Sequence, residues 1–272
     1  MEAFVLDSIA GALIAAYDNV STLPTITSVH PDFDVHAAYR VLRIIEARRR
    51  LQGWRPVGRK IGFTNRALWP RYGVDRPLWA HVFSHTLHIA ENGRSHISLG
   101  RFVQPRIEPE VVFGLDSAVP SDCSARRVLD HVDWIAPGFE IVQCHFPDWT
   151  FTAADCTAAF GLHGALIIGE RTALDAHLRD RLDAVLPRFE LTLMRAGDVI
   201  DRGRGANVLG SPALALGHLV QLLAGQDQSP ALGPGEIVTT GTLTDAWPVR
   251  AGESWSSDYG ELDIPGLEIT FD

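Results

Sequence analysis

The sequence predicts a mainly β protein of α+β type, a β-roll or mixed β-sandwich preceded by N-terminal helices. Three observations carry that expectation. Short runs rich in Val, Ile, Thr and aromatic residues recur from residue 56 to the end, with Gly, Pro or polar breaks between them. Helical periodicity is concentrated in the first 53 residues. The length of 272 residues suits one large β domain with a helical appendage, divided here into a helical segment 1–53 and a β-rich catalytic core 54–272.

Residues 2–17 read as an amphipathic helix, because Glu2 and Asp7 stand where a signal peptide would be cationic or uninterrupted. In residues 34–53, Asp34 can cap the start and Val35, Ala38, Val41, Leu42 and Ile45 recur at helical spacing. Arg48, Arg49 and Arg50 suit the last turn, and Gly53 ends it. The runs "PVGRKIGF", "LWAHVF", "HTLHIA", "HISL", "IEPEVVFGL", "FEIVQCHF", "HGALIIGE", "RFELTLMRAGDVI", "GEIVTTGTL" and "GLEITFD" are read as strands. Two more helices are expected, at about 122–134 and at 211–224, the latter with Ser211 as N-cap and Pro212 in its first turn. No internal repeat, low-complexity tract or linker interrupts the chain.

Composition narrows the function classes. A net charge of −9 argues against a nucleic-acid surface. No apolar run is read as approaching the roughly 20 residues of a membrane helix. Cys123, Cys144 and Cys156 form no C-x-x-C pair, which fits a reduced, cytoplasmic setting rather than a disulfide framework or a zinc site. An anionic substrate would need local positive charge from Lys, Arg or a metal.

The carboxylates are the informative feature. Side chains alternate along a strand, so Glu108 and Glu110 in "QPRIEPEVVF" share a face with Val112, about 6.6 Å apart along it, while Ile107, Val111 and Phe113 face the other way. Two partly desolvated like charges that close drive one pKa upward unless a cation lies between them. Glu140 in "PGFEIV" offers a third oxygen ligand, leaving about three octahedral positions of Mg²⁺ or Mn²⁺ for water and a chelating substrate. A charged solvent face of an antiparallel strand is the competing explanation.

Lys60, between Gly58 and Gly62 in "GRKIGF", can reach a substrate carboxylate or enolate, and desolvation would lower its pKa toward proton transfer. The run "GEIVTTGTLTDAW" places Thr239, Thr240, Thr242 and Thr244 around Gly241, where backbone amides and a hydroxyl could hold a carboxylate, although threonine is also an ordinary strand residue.

The order "GRKIGF", "QPRIEPEVVF", "PGFEIV", "VLGSPALALGHLVQLLA", "LGPGEIVTTGTLT" resembles the fumarylacetoacetate hydrolase superfamily. The likeness is strongest to the 2-oxopent-4-enoate hydratase and 4-oxalocrotonate decarboxylase branch and spans about residues 37–245. The resemblance implies a fumarylacetoacetate hydrolase-like fold and a homo-oligomer. It also implies a Mg²⁺ or Mn²⁺ site on Glu108, Glu110 and Glu140, an active-site Lys60, and a loop Thr240, Gly241, Thr242 that holds the substrate's acid end. The implied activity is a metal-dependent, hydratase-like lyase reaction on a 2-oxo-enoic acid, or its 2-hydroxydienoate tautomer, from aromatic catabolism, through a metal-bound enolate. Decarboxylation or C–C hydrolysis of an oxo or diketo acid is the alternative that the same enolate serves, and a catalytically silent oxo-acid-binding homologue is a third.

Two departures from the branch are visible. Leu78 and Trp79 stand where hydratases carry Asp in a G-V-x-x-P-D-F pattern, and Leu162 stands in place of a Ser. Leu78, Trp79 and Leu162 are therefore expected to contact substrate, and Asp75, His81, His145 and His163 are candidate replacements for the missing proton-handling groups. Trp79, Phe146, Trp149, Phe151 and Phe160 are expected to line a wide apolar pocket.

Overall fold

The computed structural model describes residues 1–123, 127–226 and 229–272. Helices α1 (Ala3–Asp18) and α3 (Val35–Leu51) stand where the periodicity places them, with the short α2 (Ile26–Val29) between. Asp34 caps α3 by accepting from the Ala37 amide at 2.7 Å. Further on come β1 (Pro56–Gly62), α4 (Trp69–Tyr72), β2 (Leu78–Phe83), β3 (Leu87–Ile89), β4 (Arg94–Ile97) and β5 (Arg106–Leu115). The middle of the chain holds β6 (Val132–Val142), α5 (Ala153–Ala158), β7 (His163–Ile168), β8 (Thr172–Ala173) and α6 (Ala176–Val185). The remainder is β9 (Glu190–Arg195), β10 (Asp198–Arg204), α7 (Pro212–Ala224), β11 (Ile237–Thr239), β12 (Trp247–Pro248), β13 (Ser254–Asp258) and β14 (Leu267–Phe271).

Nine strands form one mixed sheet in the order β2-β1-β11-β5-β6-β7-β3, with β12 also beside β5 and β8 beside β6. Five form a second, β10-β9-β13-β14-β4. Their inner faces share one core, to which Ile107, Val111, Phe113, Phe139 and Ile141 contribute from the large sheet and Leu191, Leu193, Trp255 and Ile269 from the small one. Alternation then sends Glu108, Glu110 and Glu140 to the opposite face of the large sheet. A second apolar cluster, built from α1, α3, α5, Phe146, Phe160 and Leu162, packs the helices together.

Several expectations change. The helix expected at 122–134 is absent among the described residues: Val128–His131 make one 3₁₀ turn and β6 begins at Val132, while residues 124–126 lie outside the described residues. Its apolar spacing serves the core, into which Val128, Leu129 and Val132 are all buried. Helix α6, capped by Asp175, was not anticipated, because its single fully buried residue, Leu182, leaves almost no periodic stripe. The stretch Gly205–Ala224 is long and apolar enough to cross a membrane by length and composition, contrary to the reading of the sequence. Most of it is buried, with Leu216, Leu219 and Leu223 of α7 in the core.

Away from the carboxylates, α3 is tied to the large sheet by Glu46, whose Oε2 lies 3.0 Å from His81 Nε2. Burial pushes His81 below the usual histidine value. Glu46 is held at about 2, chiefly by the His81 hydrogen bond against the opposing effect of burial. A carboxyl with a depressed folded pKa adds stability that is complete above its unfolded value of about 4.5 and is lost as pH falls toward about 2. Glu46→Gln is therefore expected to cost about 1–2 kcal/mol at pH 7, allowing for screening of a partly exposed group. Urea unfolding at pH 7 and pH 3 checks this, since the gap to wild type should shrink at the lower pH.

Candidate metal centre and active site

Strands β5 and β6 pair antiparallel with Glu108 directly opposite Glu140 and Glu110 opposite Gly138. Gly138 leaves room there, since a Cβ would stand 2.5 Å from Val112 Cγ2. One oxygen from each of Glu108, Glu110 and Glu140 lies within 4.8 Å of the others. Glu110 and Glu140 are fully buried and Glu108 is half-buried, so the cluster opens past Glu108.

Each inner carboxylate is held by one oxygen and offers the other. Glu110 Oε2 accepts from the Thr239 hydroxyl and from the Gly241 amide at 2.7 Å. Glu140 Oε1 stands 2.7 Å from His163 Nδ1, and His163 Nε2 stands 2.8 Å from the Thr86 hydroxyl. Glu110 Oε1 and Glu140 Oε2 are buried without a hydrogen-bond partner. A partnerless carboxylate oxygen on Glu110, converging with a Glu140 oxygen that only an ammonium meets, is what a hard, oxygen-seeking cation satisfies.

Lys60 completes the group and is the sole lysine of the chain. Its Nζ lies 3.2 Å from Glu140 Oε2, outside hydrogen-bond geometry, and donates to the Gly161 carbonyl at 3.0 Å. Strands β1 and β6 are three positions apart, about 14 Å in a flat sheet, so this contact requires the sheet to curl around the site. Burial works to lower the lysine pKa, but Glu140, Glu108 and Glu110 outweigh it and raise it. The sequence expectation of a lowered value is thus reversed. Burial raises Glu108 to about 7, aided by Glu140 and opposed by Lys60. Glu110 is raised well above the carboxylate range by burial, Glu140 and Glu108, whereas Lys60 and His163 overcome burial at Glu140 and lower it. Three carboxylates against one ammonium leave two negative charges when all are ionised, the charge of a divalent cation.

The remaining predicted residues separate. Gly241 contributes its amide at φ 101°, and a Cβ there would stand 1.9 Å from Thr64 Oγ1, so glycine is required. Thr240 turns its hydroxyl to the Val111 carbonyl at 2.9 Å and Thr242 to the Thr244 carbonyl at 3.0 Å. This loop holds Glu110 and its own backbone, and Thr239, not singled out above its neighbours from sequence, is the threonine that matters. Thr239→Val is expected to weaken Mn²⁺ binding about 10–100-fold by calorimetry, as removal of a ligand's own support usually does.

Lys60 pairs with Ala80 and Gly62 with Leu78, so Leu78 shares the lysine's face. Trp79 and His81 point the other way: Trp79 stacks on Tyr39 at 5.6 Å in the core between the sheets, and His81 meets Glu46. Neither is brought to the carboxylates. His145 is spent on the Ser21 carbonyl, 2.9 Å from Nδ1, and Asp75 is exposed and paired with Arg76 at 2.9 Å. Of the four proposed substitutes only His163 reaches the centre, as the partner of Glu140. The expected aromatic pocket also divides. Phe146 and Phe160 are buried among the helices, Trp79 lies on the other face, and Trp149 and Phe151 form a half-buried wall with Arg106 at 3.9 Å from the Trp149 ring. A cleft of about 750 Å³ between α3 and α7 is lined by Tyr39, Arg43, Leu78, Ala153 and His218 and not by the three carboxylates.

Leu162 closes a backbone turn of unusual hand. Phe160, Gly161 and Leu162 have φ of 58°, 59° and 62° in succession. Left-handed backbone costs a residue with a Cβ about 1–2 kcal/mol, so such a run persists only where its surroundings impose it.

Fold and centre together define a protein with a strand-borne, all-oxygen site suited to a divalent cation, with one buried lysine beside it. No family profile matches the chain. It is 30% identical to 2-keto-4-pentenoate hydratase 2 of Dechloromonas aromatica over 237 residues, covering 86% of this chain and 84% of that protein. It is 29% identical to a 4-oxalocrotonate decarboxylase of a Pseudomonas species over 236 residues, 87% of each. The structure of 4-oxalocrotonate decarboxylase from Pseudomonas putida G7, complexed with magnesium and adipate, superposes with a TM-score of 0.90 at 22% identity over 100% of this chain and 99% of that one. The chain belongs to the 2-keto-4-pentenoate hydratase and 4-oxalocrotonate decarboxylase branch of the fumarylacetoacetate hydrolase family.

Proposed function

We propose that the protein is a divalent-metal-dependent, hydratase-like lyase that acts on a 2-oxo-enoic acid, or its 2-hydroxydienoate tautomer, in the breakdown of aromatic compounds. The observation that carries this reading is the convergence of Glu108, Glu110 and Glu140 within 4.8 Å beside the ammonium of Lys60. Glu108, Glu110 and Glu140 would hold Mg²⁺ or Mn²⁺, which supplies a Lewis acid for a 2-oxo acid's carboxylate and keto oxygen. Lys60 brings the positive charge that an acidic chain needs to attract such an anion, and its ammonium would donate a proton beside the oxo group. His163 fixes the orientation of Glu140, and Thr239 with Gly241 that of Glu110. The family likeness implies a homo-oligomer, and the three free cysteines, Cys123, Cys144 and Cys156, support a reducing, cytoplasmic setting.

Decarboxylation is the second reading, favoured by Leu78. An aliphatic side chain on the lysine's face offers no hydrogen bond to an attacking water, and loss of CO₂ consumes none. Hydrolytic C–C cleavage needs water as well and ranks behind both. The purified protein with Mg²⁺ or Mn²⁺ is expected to remove the ultraviolet absorbance of 2-hydroxydienoates, and chelation should abolish this. Product analysis then separates a hydroxylated 2-oxo acid from CO₂. Unchanged absorbance and no CO₂ across mono- and dicarboxylic substrates would leave the silent homologue as the reading.

A further inference from the structure

The left-handed turn Phe160–Leu162 has no role in the chemistry assigned above, yet its middle carbonyl is the acceptor for Lys60. Gly161 is suited to this place twice over. It accepts φ 59°, and a Cβ there would stand 3.0 Å from Ala80 Cβ and 3.2 Å from Lys60 Cδ. Phe160 and Leu162 gain nothing from that conformation by themselves, so something outside the turn holds them in it.

The clamp lies behind Phe160. Its ring packs on Tyr17 of α1 at 4.9 Å, and the guanidinium of Arg49 from α3 lies 5.9 Å from the same ring. Arg49 is 2% exposed, stacks on Trp54 at 4.3 Å, and is fixed in its plane by Asp18 at 2.7 Å and Gln52 at 2.8 Å. Tyr17 reaches on to the Gly164 carbonyl at 3.4 Å, just past the turn. A buried arginine held through both terminal nitrogens and packed among three rings is a stiff backing for a strained loop.

We propose that Arg49 and Phe160 are positioning residues: through the left-handed turn they aim the Gly161 carbonyl at Lys60 and so fix the ammonium beside the carboxylates. The N-terminal helices thereby set the placement of a group on β1. The catalytic consequence rests on the lyase reading above; the structural one does not. An ammonium anchored by a fixed carbonyl keeps one orientation between Glu140 and substrate, whereas a released one samples several, lowering turnover more than binding.

Arg49→Met and Phe160→Leu test this, with two variants so that misfolding of one does not decide the matter. Because Lys60 is the sole lysine, protein labelled with [¹⁵N]lysine gives one side-chain ammonium resonance. That signal is expected in wild type and should shift and broaden in both variants. With a substrate that wild type turns over, kcat should fall at least tenfold while KM stays within threefold and the Mn²⁺ Kd within twofold. An unchanged ammonium resonance in a folded variant overturns the proposal, as does a kcat loss that only tracks weaker Mn²⁺ binding. If wild type itself turns over no oxo acid, the functional reading fails and the resonance alone decides the positioning role.

Discussion

Glu110→Gln is expected to weaken Mn²⁺ binding by at least about 100-fold, and at the same time to raise the melting temperature of the metal-free protein. Both follow from one geometry. Glu110 is fully buried, its Oε2 is already committed to Thr239 and Gly241, and its Oε1 is the atom left to bind a cation. An amide keeps the shape but not the charge, and losing a direct ligand costs more than the roughly 10–100-fold typical of its supporting partners. Without the cation, burial and the two neighbouring carboxylates disfavour the ionised form of Glu110. Glutamine has no ionisation for the fold to hold back, so that cost disappears, and each kcal/mol recovered is worth about 2–4 °C in a chain of this size. Calorimetric titration with Mn²⁺ and thermal melts with and without chelator read the two effects. Unaltered metal affinity would remove Glu110 from the site.

Lys60→Met should produce the converse pattern. Turnover is expected to fall about 10³-fold, the range of a lost proton-transferring group, while Mn²⁺ binds as well as before or better. The ammonium competes with a cation for Glu140 Oε2, 3.2 Å away, so its removal frees a ligand. Methionine preserves the buried stem beside Ala80 and Gly161, which limits the structural damage. A variant that kept wild-type kcat would exclude Lys60 from the chemistry.

How much of this was legible in the sequence depends on whether the cause is local. Strand alternation places Glu108 and Glu110 on one face without reference to anything else; helix α1 announces itself through periodicity, and α3 and α7 through caps as well. Glu140 is legible as a carboxylate in an apolar strand, but its register opposite Glu108 is set by pairing between distant segments. The same limit explains the misplaced residues. Trp79 and His81 sit one position from Leu78 and Ala80, and parity sends them to the other face; counting from Lys60 through an antiparallel pair would have shown this, had the pairing of β1 with β2 been known. Thr239 was indistinguishable from the other threonines of its run until β11 was found beside β5. The turn at Phe160–Leu162 left no trace at all, because only Gly161 advertises a left-handed conformation.

The insertion of β11 between β1 and β5 has a consequence in time as well as in space. Lys60 and Glu110 belong to strands that do not touch; each is registered against Ile237–Thr239, parallel on one side and antiparallel on the other. A nascent chain therefore carries its three carboxylates for the 99 residues that separate Glu140 from Thr239 before the strand that organises them is made. At about 5–20 residues per second that interval is about 5–20 s. The centre is completed late, and until then the chain must carry its most repulsive cluster of charges with the scaffold still open.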